Sequence, residues 1–374
     1  MIRREDALHR VLCANERGEL DDAGYRSMMY PTQQWTFLAD GATQRNFVLP
    51  KLRRRMPKEL ARKEMYATKL YGVYLYGYGM HCYVVHESVG GGANLACTCI
   101  YLTFLDAISS GRPLPDEIHL QLDNTVGENK CVTMFCFAAW LVVKGWVKRV
   151  RLFFLIKGHT HILIDQIFGS ITKTMRCHNV FSLPQMLRLV DHITTKSPKY
   201  NGRCTKQLHH LYDFKAMFDK LDSGLGGFAT SNFSGDGYHD FLVSLDENEE
   251  EPRPILNVKK YGSTEEWVKE GPFEIFKRDR VDEVKRLQPS IKDIKGDECG
   301  TARSSTLPTG CTSSTTASTE RARRRCAKTG RARSTTPPSP RTSSKLRTPF
   351  RSRSLRSPQS PNARRLPCSS TRLP

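Results

Sequence analysis

The chain has 374 residues, 39% hydrophobic and 26% charged, enough for one large domain or two ordinary ones with a substantial core. Its net charge of +20 is unevenly placed, because residues 301–374 hold 17 Lys and Arg against a single acid, Glu320, and leave only +4 for the rest. Charge alone therefore does not make the folded part a nucleic-acid binder, and twelve scattered cysteines without a CxxC pair argue for reduced thiols in an intracellular protein rather than a zinc or disulfide framework.

The opening MIRREDALHR is charged where a secretory leader would be apolar, so secretion is not expected. Leu8, Val11, Leu12 and Tyr25 are loosely spaced for a helix over residues 3–29. A strand follows at residues 35–39, with a turn at Asp40-Gly41 and a return over 46–49. Residues 51–67 are strongly basic and read as a solvated helix or loop. Two aromatic, β-branched runs at 70–87, divided by Gly77 and Gly79, read as a hairpin.

Helical spacing resumes over residues 93–108. Residues 117–123, EIHLQLD, form a buried strand, and 131–146 a buried helix whose apolar run is too short to span a membrane. VRLFFLI at 150–156 is a strand covered on both faces. Residues 158–175 return to helical spacing through Ile162, Ile164, Ile167, Phe168 and Ile171. The order of strands and helices implies an α/β fold, a mixed β-sheet flanked by helices. The expected layout is a helical lead-in at 1–30, a core at 31–195 that ends with a helix at 183–194, an extension packed on it at 196–295, and a disordered Ser/Thr/Pro/Arg-rich basic tail at 296–374. Within that tail, RARRRCAK resembles a nuclear address.

Three acids fall at strand ends or at the start of the helix leaving one: Asp40, Asp123 and Asp165. In an open α/β sheet such positions converge on one edge, where ligands bind. Three carboxylates there would hold hard divalent cations, Mg²⁺ or Mn²⁺, and two such ions suit phosphoryl transfer. Each acid also has a structural reading: a hairpin turn at Asp40-Gly41, a turn or cap at Asp123-Asn124, and a favourable helix dipole at Asp165. The GHTH element places His159 and His161 after a strand, as metal ligands of a metallophosphoesterase or as structural partners of the helix start. The basic cluster of Arg45, Lys51, Arg53, Arg54, Arg55, Lys58, Arg62 and Lys63 suits a phosphate backbone or a solvated face.

The segments ADGATQRNFVLPKL at 39–52, LQLDNTVGENKC at 120–131 and FLIKGHTHILIDQIF at 154–168 resemble a eukaryotic, transposon-associated family known only as a domain of unknown function, over about residues 25–275. Such proteins look like ribonuclease H-like transposases and integrases, in which acids on the first strand, the fourth strand and the last helix bind two Mg²⁺ or Mn²⁺ ions. The resemblance implies Asp40, Asp123 and Asp165 as catalytic metal ligands. Asn124, Glu128, Asn129 and Lys130 would line the site, with His159 and His161 beside it. It implies a DNA partner and either a metal-dependent nuclease or strand-transfer enzyme, or a catalytically silent nucleic-acid-binding remnant of a mobile element; the nuclear location expected here comes from the basic segment of the tail. Self-association into a homo-oligomer is left open.

Overall fold

The computed structural model describes residues 2–54, 56–61, 65–125, 127–155, 163–221, 223, 225, 237–246, 252–260 and 273–291. The basic tail and the GHTH element lie outside these residues. The described residues form an α/β structure around one mixed ten-stranded sheet flanked by helices.

Helix α1 (Ile2–Met29) leads into the central strand β1 (Gln34–Gly41). Strands β3 (Tyr66–Leu75) and β4 (Gly79–His86) follow as an antiparallel pair, with β3 also antiparallel to β1. Helix α3 (Ala93–Ser109) returns the chain to β5 (Glu117–Leu122), which lies parallel to β1 on its other side. Helix α4 (Val132–Val143) connects to β6 (Arg149–Phe154), parallel to β5. Helices α5 (Leu163–Cys177) and α6 (Leu183–Lys196) follow. Strand β7 (Gly202–Leu208) then joins the sheet beside β4. After α7 (Phe214–Asp219), strands β8 (Asp240–Leu245), β9 (Pro254–Lys259) and β10 (Phe273–Glu274) extend the sheet beyond β6, and α8 (Val281–Arg286) packs at its end.

The return expected at residues 46–49 does not pair with β1. Strand β2 (Val48–Leu49) pairs with β3, after a 3-10 turn at Gln44–Asn46. Both edges of β1 are already taken, by β3 and β5, so Asp40-Gly41 is the end of a central strand and not a hairpin turn. Of the basic stretch at 51–67, only α2 (Lys58–Ala61) is helical among the described residues, and β3 has begun at Tyr66.

Two apolar clusters cover the two faces. One joins Phe37, Ala39, Val73, Leu120, Leu122 and Leu152 to α3, α4 and α7. Helix α4 is apolar on every side and buried on every side, as that composition requires. The other cluster joins Leu38, Leu70 and Met80 to Ile164, Ile167, Phe168 and Ile171 of α5 and to Met186 and Val190 of α6. The spacing of the α5 residues puts one stripe on the sheet and leaves the opposite side to polar groups. Among the described residues no helix is long and apolar enough to cross a membrane.

Candidate functional site

Strands β1, β5 and β6 run parallel and end at one edge. The last pair of the β1–β5 ladder is Ala39 with Leu122, so Asp40 and Asp123 each follow it directly on neighbouring strands. Ala39 points to the α3–α4 face, and alternation along β1 sends Asp40 to the other face, the one α5 covers. Asp165 lies in the first turn of α5, where a carboxylate also suits the helix dipole. Asp40 and Asp165 line the same cleft of about 550 Å³.

Local bonds orient the acids. The Gly41 N–H donates to Asp40 Oδ1 at 2.7 Å, and the Thr125 hydroxyl donates to Asp123 Oδ2. The carbonyl of Thr125 accepts from the N–H groups of Glu128, Asn129 and Lys130, which folds the segment after β5 into a tight turn. Burial raises the Asp40 carboxyl to about 7, a rise opposed by the Gly41 N–H and reinforced by the negative charges of Asp123, Asp165 and Glu128. Acids from two other segments of the chain therefore act on Asp40 together.

They do not form a closed ligand set. Among the described residues no group of three or more His, Cys, Asp or Glu stands close enough to hold a metal ion. The donor chemistry nevertheless fits a hard divalent cation, because the converging groups are all carboxylates. Gln121 Oε1 and Asn129 Oδ1 are also buried without a hydrogen-bond partner among the described residues, one on each side of Asp123 in sequence.

The remaining expected residues divide. Glu128 is exposed, close enough to act on Asp40. Asn124 and Asn129 are buried. Lys130 is fully buried with its ammonium over the rings of Phe154, the last residue of β6, and Phe241. Lys51, Arg53 and Arg54 follow β2. Arg55, His159 and His161 lie outside the described residues, as does the side chain of Arg45.

Sequence reasoning overlooked Lys173 and Arg176, which line the cleft with Asp165, Gly169 and Thr172. The signal was present as helical spacing, since 165, 169, 172 and 176 fall on one side of a helix. Gly72 was also missed. It pairs with Asp40 across the β1–β3 ladder, and its lack of a side chain lets Phe168 of α5 settle onto the sheet.

Residues 58–233 match the family model described as "Domain of unknown function (DUF7869)". The matched stretch runs from α2 past α7 and contains Asp123 and Asp165, while Asp40 precedes it. No curated protein and no solved structure matches the chain.

Proposed function

We propose that this is a transposase-like protein of mobile-element origin, a nuclease or strand-transfer enzyme that acts on DNA phosphodiesters at Asp40, Asp123 and Asp165 with two Mg²⁺ or Mn²⁺ ions. The observation that carries this reading is the convergence of those acids at one strand edge: burial raises the Asp40 carboxyl to about 7, and the nearby charges of Asp123 and Asp165 add to the rise. Asp40 on β1 and Asp123 after β5, the fourth long strand, agree with the ribonuclease H-like resemblance. Asp165 departs from it in part: it opens α5, which follows β6, the last of the three parallel strands that end at this edge, but α6, α7 and α8 come later in the chain.

Divalent ions, when bound, would supply charge neutralisation at the phosphoryl group and a water acidified for attack. The chain's own contribution is orientation. The Gly41 N–H and the Thr125 hydroxyl hold two of the carboxylates in place, and α5 carries the third down onto the same strand edge. A nuclear location accompanies a DNA substrate.

The test is Mg²⁺- or Mn²⁺-dependent cutting of plasmid and oligonucleotide DNA by the full chain. Asp123→Asn removes a charge with little change of shape and is expected to abolish cutting while the melting transition is retained. Undiminished cutting by that variant would refute the assignment.

A second reading, a catalytically silent nucleic-acid-binding remnant, is favoured by one observation: the acids among the described residues do not close to ligand spacing. It predicts salt-sensitive DNA binding indifferent to divalent metal.

A further inference from the structure

We propose that the surface running from the acidic edge along α5 to Phe181 and Tyr66 binds a nucleic-acid strand with unpaired bases, which stack on those two rings. This rests on the nucleic-acid reading above and specifies the kind of nucleic acid the site takes.

The cleft beside Asp40 and Asp165 carries opposite charge farther along α5. Lys173 and Arg176, both exposed, stand along α5 on the same side as Asp165. Where α5 ends, the basic loop joins it. Lys51 and Val180 exchange two backbone hydrogen bonds of 2.7 Å, and the Arg53 N–H donates to Asn179 Oδ1 at 2.8 Å. The basic cluster after β2 and the cationic side of α5, distant in sequence, thus meet along one path leading away from the acids.

The path continues into a second groove of about 380 Å³, lined by Leu49, Pro50, Tyr66, Phe181, Ser182 and Leu183. Leu49 and Pro50 precede Lys51, and Phe181 follows Val180, so the same two backbone segments build both the cationic stretch and this groove. Phe181 is 59% exposed and Tyr66 41%, which leaves large aromatic surface in water at a point with cations on both contributing segments. Tyr66 is backed by the His86 ring at 4.5 Å, and the Phe181 N–H is held by Gln185 Oε1 at 2.8 Å, so both rings are anchored at their base.

Charge selects the occupant. Lys51, Arg53, Arg54, Lys173 and Arg176 complement phosphates, and exposed rings beside them complement the π-faces of bases. A continuous duplex hides those faces in its own stack. The surface therefore fits single-stranded or frayed nucleic acid, with the backbone crossing the cations and unpaired bases seated on Phe181 and Tyr66.

The experiment uses the full chain carrying Asp123→Asn, in EDTA, so that binding is read without cutting. Fluorescence anisotropy compares labelled oligo(dT) with a blunt duplex of the same length. The single strand is expected to bind more tightly. Phe181→Ala and Tyr66→Ala should each weaken it roughly tenfold and leave duplex binding unchanged. Lys173→Gln and Arg176→Gln should weaken both ligands and flatten the salt dependence. Phe181 is exposed, so its variant is expected to fold, and a melting curve checks this. Equal affinity for the two ligands, or an unaffected Phe181→Ala, overturns the proposal. So does a dimer that Phe181→Ala dissolves without altering DNA binding, which assigns the rings to self-association. Strand-selective binding in a protein that never cuts DNA would support the platform while removing the nuclease reading.

Discussion

Gly72 lies directly across the β1–β3 ladder from Asp40, and the ring of Phe168 occupies the space a side chain at Gly72 would need. A Cβ there would stand 2.9 Å from that ring and 2.5 Å from the Met80 methyl. Met80 can swing its end away. Phe168 is fixed to α5, three residues beyond Asp165, so relieving the contact means lifting the helix that carries the third acid. Gly72→Ala is expected to lower unfolding stability by about 1–3 kcal/mol, the usual range for overpacking a close-packed site. Adding Phe168→Leu should recover part of the loss. Urea denaturation of the two single variants and the double variant reads the coupling, and strict additivity would show that the two residues do not compete for this space.

Bringing acids together is costly in the absence of a counter-ion, and relieving their repulsion should be visible as stability. Without divalent metal, Asp40→Asn is expected to melt higher than the wild type at pH 8, because burial and three neighbouring charges oppose ionisation at that position. With Mn²⁺ the order should reverse. A ligand that binds only the folded state adds about 2.7 kcal/mol at a hundred times its dissociation constant, a gain the variant would lose. Thermal melts across a Mn²⁺ titration, with EDTA as the reversal, read both effects. A wild-type melting temperature unmoved by Mn²⁺ would leave only the silent-binding reading.

Elements whose burial follows from their own sequence were legible before any coordinates. The stripe of Ile164, Ile167, Phe168 and Ile171 announced α5, the apolar runs announced α4 and β6, and Ile118, Leu120 and Leu122 marked β5. Pairing decided by competition was not legible. Residues 48–49 read as the partner of β1 until β3 and β5 are seen to occupy both its edges. Helix α1 was only faintly visible because it docks partly through polar contacts. Its Ala23 carbonyl accepts from Gln34 and Thr36, and Glu19 pairs with Arg151, none of which produces an apolar period. At the site, Asp40, Asp123 and Asp165 could be ranked together from strand order. The proximity of Lys51 to Val180, which joins the basic loop to α5, exists only in three dimensions.

A buried charge pair between β6 and β8 also receives Glu19 of α1. Arg151 on β6 donates from Nε and Nη2 to the two Asp240 oxygens at 2.8 and 2.6 Å, and Nη2 also donates to Glu19 Oε2 at 3.0 Å. Asp240 is wholly buried, with Lys259 Nζ 3.5 Å from Oδ2. Removing one partner strands the other in a medium that solvates it poorly. Asp240→Ala is expected to cost about 3–5 kcal/mol, against about 1 kcal/mol or less for Lys148→Ala, whose pair with Asp116 is in water. Chemical denaturation distinguishes the two. Similar losses would mean that water reaches Arg151 and Asp240 as freely as it reaches the surface pair.

His119 on β5 gives the fold a defined acid sensitivity. Its ring is buried edge-on to Phe153 at 5.7 Å, and Nε2 has no hydrogen-bond partner among the described residues. Burial, with the positive charges of Arg151 and Arg26, lowers its pKa from 6.5 to about 3. The folded protein therefore keeps His119 neutral where the unfolded chain would protonate it. The unfolded state binds the extra proton between pH 6.5 and about 3, so this contribution is complete above pH 6.5 and is lost as the pH falls through that window. The slope attributable to His119 is about 1.4 kcal/mol per pH unit within it. His119→Leu keeps an apolar side chain against Phe153 and removes the titrating group. Its stability relative to the wild type should rise steadily as the pH is lowered from 6.5, read by urea denaturation at successive pH values. Parallel profiles for the two proteins would mean that His119 accepts its proton in the folded state as readily as in the unfolded chain.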